Sequence, residues 1–335
     1  MSLIKFIWPF LLLALSLFAV PTSSAESQVL APVINLILQE DALELTPLEK
    51  VLAAYQNPDS GHIFIAAWRG GRENDVADNA PGNSIANIDN ALSNGFDLYE
   101  SDIEILGDDT LVVFHDNDFD NLTNSTVEND LLDNATLDYA KSLFLTYVDG
   151  SVSDERIPTL EEFLLASKDK IMLKFDPKSG TFGGSVLRRI FDLVVANDMV
   201  EQVLIRGGQN VLDTANEGGY DTRMIMRRYN SAPSVADIQQ LIENYTVRAI
   251  SIPDGASDEV IAAATAAGLV VEVHELQAGD VDVDEDATEE EQQAAIEAAL
   301  AQASADSIQQ GVRQFHSFRP TWLKPFLSDN GHREF

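Results

Sequence analysis

The chain has no cysteine at all. That excludes a disulfide, a thiolate nucleophile, a thiolate metal site and a lipid-modified N-terminal cysteine. Positive charge is scarce: 21 Lys+Arg stand against 55 Asp+Glu, a formal net charge of -34. Such a surface repels nucleic acid and anionic membrane, and neither is an expected partner. It stays soluble and tolerates salt, which screens repulsion between its own charges. Histidine occurs five times, so acid–base chemistry has few candidates. The apolar run Phe6 to Val20 is short for a membrane span.

That run instead reads as a targeting segment. Lys5 precedes it as the only charge in residues 1–25, and Pro21-Thr22-Ser23-Ser24-Ala25 offers small residues for cleavage. The expectation is an exported protein, periplasmic or secreted, with residues 1–25 as signal peptide and no stable membrane insertion afterwards. Residues 26–60 carry two helical patterns, Val29 to Leu38 and Pro47 to Tyr55, as a lead-in covering the bottom of a domain. Residues 61–328 form that domain, with an acidic insert at 279–293, and residues 329–335 a tail.

From His62 onward short apolar runs alternate with helix-periodic segments. Units begin at Ile63, Leu98, Ile171, Val203, Thr222, Val247, Leu269 and Val312, with Thr110 to Phe114 an accessory strand. The fifth strand is expected over Thr222 to Arg227 and the sixth over Thr246 to Ile252. Eight βα units in about 270 residues indicate an α/β fold closed as a (β/α)8 barrel, whose chemistry sits at the C-terminal ends of the strands. Arg69, Glu100, Asp102, Asp176, Arg206, Arg227, His274 and His316 fall at those ends, with Lys178 just beyond the third. Glu100 and Asp102 are two apart on one strand, so their carboxylates share a face. Such a pair suits a hard divalent cation, and the histidine at 115 could move a proton. The plainer reading is an acidic strand edge beside a turn.

The ordered set of motifs resembles the glycerophosphodiester phosphodiesterase family, a phospholipase C-like barrel that shares its metal site with the sphingomyelinase D-like enzymes. The residues concerned are Trp68-Arg69-Gly70-Gly71, Pro81-Gly82-Asn83-Ser84, Glu100-Ser101-Asp102, His115-Asp116, Asp176-Pro177-Lys178, and Gly311-Val312 through Pro320. The resemblance covers residues 62 to about 328. It implies an exported metal-dependent hydrolase that cleaves a small-molecule phosphodiester to an alcohol and a phosphomonoester. One Ca²⁺ or Mg²⁺ would be held by Glu100, Asp102 and Asp176. Arg69 and Lys178 would grip the phosphate and His115 would serve as acid or base.

The chain also departs from the pattern. Trp68 stands where the family has its first catalytic histidine, Gly82 where it has a glutamate, and Phe318 near its eighth-strand acid. Indole N–H only donates, so Trp68 cannot relay a proton. His274 is the expected substitute acid or base, weighed against simple packing at the rim. His62 opens the first strand at the wrong end, and His332 reads as a surface residue of the tail. The alternative function is a catalytically impaired barrel that binds phosphate and metal as an accessory protein. A weaker one is a lyase-type variant in which a substrate hydroxyl attacks phosphorus.

In the acidic insert, Asp280, Asp282, Asp284, Asp286 and Glu291 match EF-hand offsets, but Glu285 occupies the glycine position. The simpler expectation is a solvated acidic loop ending in a capping box between Thr288 and Glu291.

Overall fold

The computed structural model describes residues 45–71, 80–253, 255–274, 281, 288–333 and 335. The expected signal peptide, the Val29 to Leu38 helix and the aspartates of the acidic insert lie outside these residues.

Nine strands form one sheet: β1 (Phe64–Ala67), β2 (Leu98–Ile105), β3 (Leu111–Val113), β4 (Met172–Pro177), β5 (Val203–Gly207), β6 (Ile225–Arg228), β7 (Ala249–Ser251), β8 (Val270–His274) and β9 (Gln314–Ser317). β1 pairs in parallel with both β2 and β9, which closes eight parallel strands into a barrel. β3 is the accessory strand, antiparallel to β2. The helices are α1 (Pro47–Gln56), α2 (Ala86–Ser93), α3 (Leu137–Ser142), α4 (Leu160–Ser167), α5 (Gly184–Ala196), α6 (Gln209–Glu217), α7 (Val235–Asn244), α8 (Asp258–Ala266), α9 (Glu289–Gln310) and α10 (Pro320–Asp329).

Strand alternation divides the residues into layers. Ile65, Ile103, Leu173, Phe175, Ile205, Ile250, Val271 and Phe315 pack with the surrounding helices. Their neighbours in sequence, Phe64, Leu98, Met172, Leu204, Met226, Ala249 and Val270, meet inside the barrel, against Leu48, Val51, Ala54 and Tyr55 of α1. The first helix therefore plugs the bottom. Each such large apolar side chain contributes roughly 1.5–3 kcal/mol on burial. Two residues further up the strands the interior turns polar: Glu100, Lys174, Arg206, Ser251 and Glu272 are all buried. A separate small core of Leu106, Val112, Phe114, Phe119, Leu132, Leu145 and Ile157 lies under the long segment that follows β3.

Two strands differ from the sequence reading. Thr222–Met224 is a 3-10 turn, because the Asp221 carboxylate accepts from the Arg223 amide, and β6 starts only at Ile225. β7 is confined to three residues: ahead of it the Thr246 amide donates to Thr222 Oγ1 at 3.1 Å, and the Arg248 guanidinium at its base donates to the carbonyls of Val200, Glu201, Val203 and Arg223. The capping boxes Thr159–Glu162 and Thr288–Glu291 both form. Glu291 is thereby committed to the start of α9, which runs on to Gln310 and stops at Gly311, φ 107°.

The last residues are built into the barrel floor. His332 is half-buried, and its carbonyl accepts from the Ile63 amide at 2.8 Å. The Arg333 guanidinium clasps Asp97 at 2.6 and 3.1 Å, and Phe335 stacks on His62 with ring centroids 4.2 Å apart.

Candidate active site

β2 and β4 pair with Glu100 opposite Lys174 and Asp102 opposite Asp176. This register puts three carboxylates on adjoining interior positions. Oxygens of Glu100, Asp102 and Asp176 lie within 4.8 Å of one another. Glu100 and Asp102 are each about 1% exposed.

Their surroundings are cationic on one side. Lys178 Nζ lies 2.7 Å from Asp102 Oδ1 and 3.5 Å from Asp176 Oδ2. Arg206 reaches Asp176 Oδ2 at 3.3 Å, and Arg69 Nε stands 3.5 Å from Asp102 Oδ2. Burial pushes Asp176 up, but Arg206, Lys178 and Lys174 outweigh it and hold the carboxyl below its usual value. Glu100 receives one backbone N–H, from Arg69 at 3.1 Å. Burial, then Asp102, push Glu100 up to about 8, with Asp176 adding to the rise. An acid so perturbed, among hard oxygen donors, is the environment a divalent cation relieves. The donor set therefore fits Ca²⁺ or Mg²⁺.

Among the described residues, two buried atoms at this site accept or donate no hydrogen bond: Arg69 Nε, which is only within ion-pair range of Asp102, and Asn83 Oδ1. Arg69 sits in a left-handed turn, φ 48°, between Trp68 and Gly70. The turn needs glycine at position 70, φ 75°, where a Cβ would lie 2.2 Å from the Tyr99 ring. Asn83, also left-handed at φ 61°, donates to Asp102 Oδ2 at 2.9 Å. Its side-chain carbonyl suits a cation or water, and the Arg69 Nε–H, which makes no hydrogen bond, suits an anion. Asn83 lies in the Pro81-Gly82-Asn83-Ser84 motif, but nothing in its sequence position assigns it a role.

His115 follows β3 directly. The preceding Phe114 amide donates to the Asp102 carbonyl at 3.1 Å, which ties this loop to the carboxylate strand. His115 Nδ1 and Asp116 Oδ1 are 2.5 Å apart, and both side chains are partly open to solvent. Trp68 is half-buried, with the Arg69 guanidinium 4.3 Å from its ring and Phe318 5.2 Å away.

His274 is at the mouth but engaged. Its Nε2 accepts from Arg206 at 3.1 Å, and burial, then Lys174, hold its pKa down to about 4. It is therefore neutral at pH 7, with that lone pair occupied, and ill-suited to act as an acid there. Glu272, His274 and His316 also lie within 4.8 Å of one another. Their outlook differs from that of the carboxylate group. Lys174, fully buried, is 2.8 Å from both Glu272 Oε2 and His316 Nδ1. Two obligate donors, Lys174 and Arg206, already take lone pairs a metal would use. Lys174 and Glu272 were missed from sequence. The signal was there, as single charges at inward positions of otherwise apolar strands.

Comparison with known proteins gives a consistent relationship. A family model described as the glycerophosphoryl diester phosphodiesterase family matches residues 76–280. A search of curated proteins found no match. Among solved structures, a glycerophosphoryl diester phosphodiesterase from Parabacteroides distasonis superposes with TM-score 0.65 at 19% identity, covering 86% of this chain and 94% of that one. A phosphodiesterase from Oleispira antarctica, solved with the product sn-glycerol-3-phosphate, gives 0.58 at 17% identity, covering 81% and 99%. A glycerophosphodiester phosphodiesterase from Thermotoga maritima gives 0.53 at 14%, covering 79% and 98%. At these identities the structural likeness establishes the barrel fold.

Proposed function

Since the chain belongs to the glycerophosphoryl diester phosphodiesterase family, whose members are phosphoric diester hydrolases, we propose that it is an exported, metal-dependent member. It would cleave glycerophosphodiesters, or a related phosphodiester, to an alcohol and a phosphomonoester. The observation that carries this is the convergence of Glu100, Asp102 and Asp176 within 4.8 Å beside Lys178 and Arg69.

Those three carboxylates would hold one Ca²⁺ or Mg²⁺. When bound, such an ion offsets negative charge on the phosphate oxygens. Lys178 and the Arg69 N–H would hold those oxygens and balance the charge that grows as water adds to phosphorus. If His115 donates Nδ1–H to Asp116, its Nε2 lone pair can take the proton of the attacking water. The same nitrogen can then return a proton to the departing alkoxide as the P–O ester bond breaks. His274, bound to Arg206, is left a supporting role. Residues 1–25 would direct export, on the strength of their sequence pattern.

Trp68 favours a second reading, a barrel that binds phosphodiesters without efficient turnover. One assay separates the two: incubation of the purified protein with glycerophosphocholine and Ca²⁺ or Mg²⁺, followed by ³¹P NMR, beside Glu100→Ala and His115→Ala. Glycerol phosphate formed by the wild type and lost in both variants supports hydrolysis. A cyclic phosphate product points to attack by a substrate hydroxyl. Binding without any product supports the accessory role.

A further inference from the structure

The polar layer of the barrel holds a network that the reaction as described does not use. Lys174 Nζ lies 2.8 Å from Glu272 Oε2 and 2.8 Å from His316 Nδ1. Gln314 Nε2 donates to the same Glu272 oxygen at 2.6 Å, and Tyr55 OH donates to Gln314 Oε1 at 2.8 Å. Lys174, Glu272 and Gln314 are fully buried, and His316 is 4% exposed. Burial lowers the Lys174 pKa, and the Glu272 carboxylate 2.8 Å away opposes that; paired with it, Lys174 is an ammonium, which donates and never accepts. His316 Nδ1 must then be the acceptor, so the imidazole proton sits on Nε2. That Nε2 is buried and has no acceptor among the described residues.

The position of this unmatched N–H is informative. His316 is level with Ala66 in the β1–β9 register, two residues below Trp68, and level with His274 in the β8–β9 register. Its ring stacks on Phe318, 5.1 Å between centroids, and Phe318 packs against Trp68 at 5.2 Å. His274 lies 4.4 Å away on the other side. Phe318, Trp68 and His274 are all half-buried residues of the mouth. A buried imidazole N–H with no partner beneath them is a costly arrangement unless something accepts from it.

We propose that His316 Nε2–H is a hydrogen-bond donor to a phosphate oxygen of the substrate, oriented by Lys174 and Glu272. The proposal deepens the phosphodiesterase reading and rests on it. His316 moves no proton. It acts as a fixed neutral donor, on the β9 side of the mouth where Trp68 offers no imidazole. Lys174 and Glu272 are positioning residues: they set the tautomer and touch no substrate.

The test uses two variants and one spectroscopic measurement. His316→Gln keeps an N–H donor at similar reach, whereas His316→Leu removes it. With Mg²⁺ present, His316→Leu should weaken inorganic phosphate binding by about 10-fold and lower kcat/KM on glycerophosphocholine by about 10²-fold. His316→Gln should recover most of both. In ¹⁵N-histidine spectra of the wild type, His316 should be the Nε2–H tautomer, and its Nε2 proton should move downfield as phosphate saturates the site. Lys174→Met should release that tautomer preference. The spectra serve even if a variant fails to fold. An Nδ1–H tautomer, or an unmoved Nε2 proton while phosphate binds, overturns the proposal. Equal losses in the Leu and Gln variants overturn it also. A wild type that turns over glycerophosphocholine while both variants match it sinks the proposal alone. A wild type that neither binds phosphate nor cleaves the diester sinks the phosphodiesterase reading with it.

Discussion

Glu100 is the most strained charge at the site. Its carboxyl is held up at about 8 by burial and by Asp102, and Lys174 and one backbone N–H compensate only in part. A cation there should therefore stabilise the whole protein by mass action. We expect Ca²⁺ or Mg²⁺ to raise Tm relative to EDTA, and Glu100→Gln to abolish most of that rise, as read by calorimetry. A wild-type Tm indifferent to both ions would argue against cation binding. His115 carries a separate expectation. With Asp116 fixing one nitrogen at 2.5 Å, His115→Ala should cut kcat by about 10²–10⁴-fold with KM little changed. Trp68 makes the converse case. Placing histidine there, Trp68→His, should raise kcat by about 10-fold or more if a second proton-transfer group is what turnover lacks. An unchanged kcat would show that His115 suffices.

Among the elements, the β2–β4 register decides the site. A one-residue slip would turn Glu100, Asp102 and Asp176 outward and bring Tyr99, Ser101 and Phe175 inside. The C-terminal strap decides the floor. Asp97 is 2% exposed and bonded to His62 Nε2, the Ile65 amide and the Arg333 guanidinium. Burial pushes Asp97 up, but the His62 hydrogen bond and Arg333 outweigh it, and the net pKa is below 3.8. A carboxyl depressed by folding contributes stability above its unfolded pKa, and that contribution is lost as pH falls through the folded value. Removing residues 330–335 would leave a buried carboxylate short of its main cation. We expect a loss of about 3–5 kcal/mol, measured by urea unfolding at pH 7. The difference between full-length and shortened chains should shrink below about pH 4, as Asp97 protonates. A difference that persists undiminished at pH 2.5 would assign the strap's effect to Phe335 and the backbone contacts instead.

For the whole molecule, charge dominates. A formal net charge of -34 makes self-repulsion a general tax on the folded state. Raising NaCl from about 0.01 M to 1 M shortens the Debye length from ~30 Å to ~3 Å. Tm should rise over that range, although the surface ion pairs weaken. A falling Tm would mean that specific pairs such as Lys141–Glu162 outweigh the repulsion.

How much of this was legible in the sequence follows from the range of the forces involved. Alternation and helix periodicity are local, and they marked eight parallel strands, the accessory strand and the helices between them. The capping boxes at Thr159 and Thr288 are equally local and equally readable. Strand ends were less so. β6 begins late because an Asp221 carboxylate competes for backbone hydrogen bonds, and the Thr246 amide ahead of β7 is taken by the Thr222 hydroxyl. The Glu-x-Asp spacing on β2 predicted two carboxylates on one face. Only the inter-strand register could bring Asp176 beside them. Lys174, Glu272 and His316 lie up to 142 residues apart, and their meeting depends on barrel closure. The order of motifs thus carried the fold and the family. Tertiary structure decided which cations face the carboxylates, that His274 is held by Arg206, and that a neutral imidazole lies under Trp68, because each depends on strands far apart in the chain.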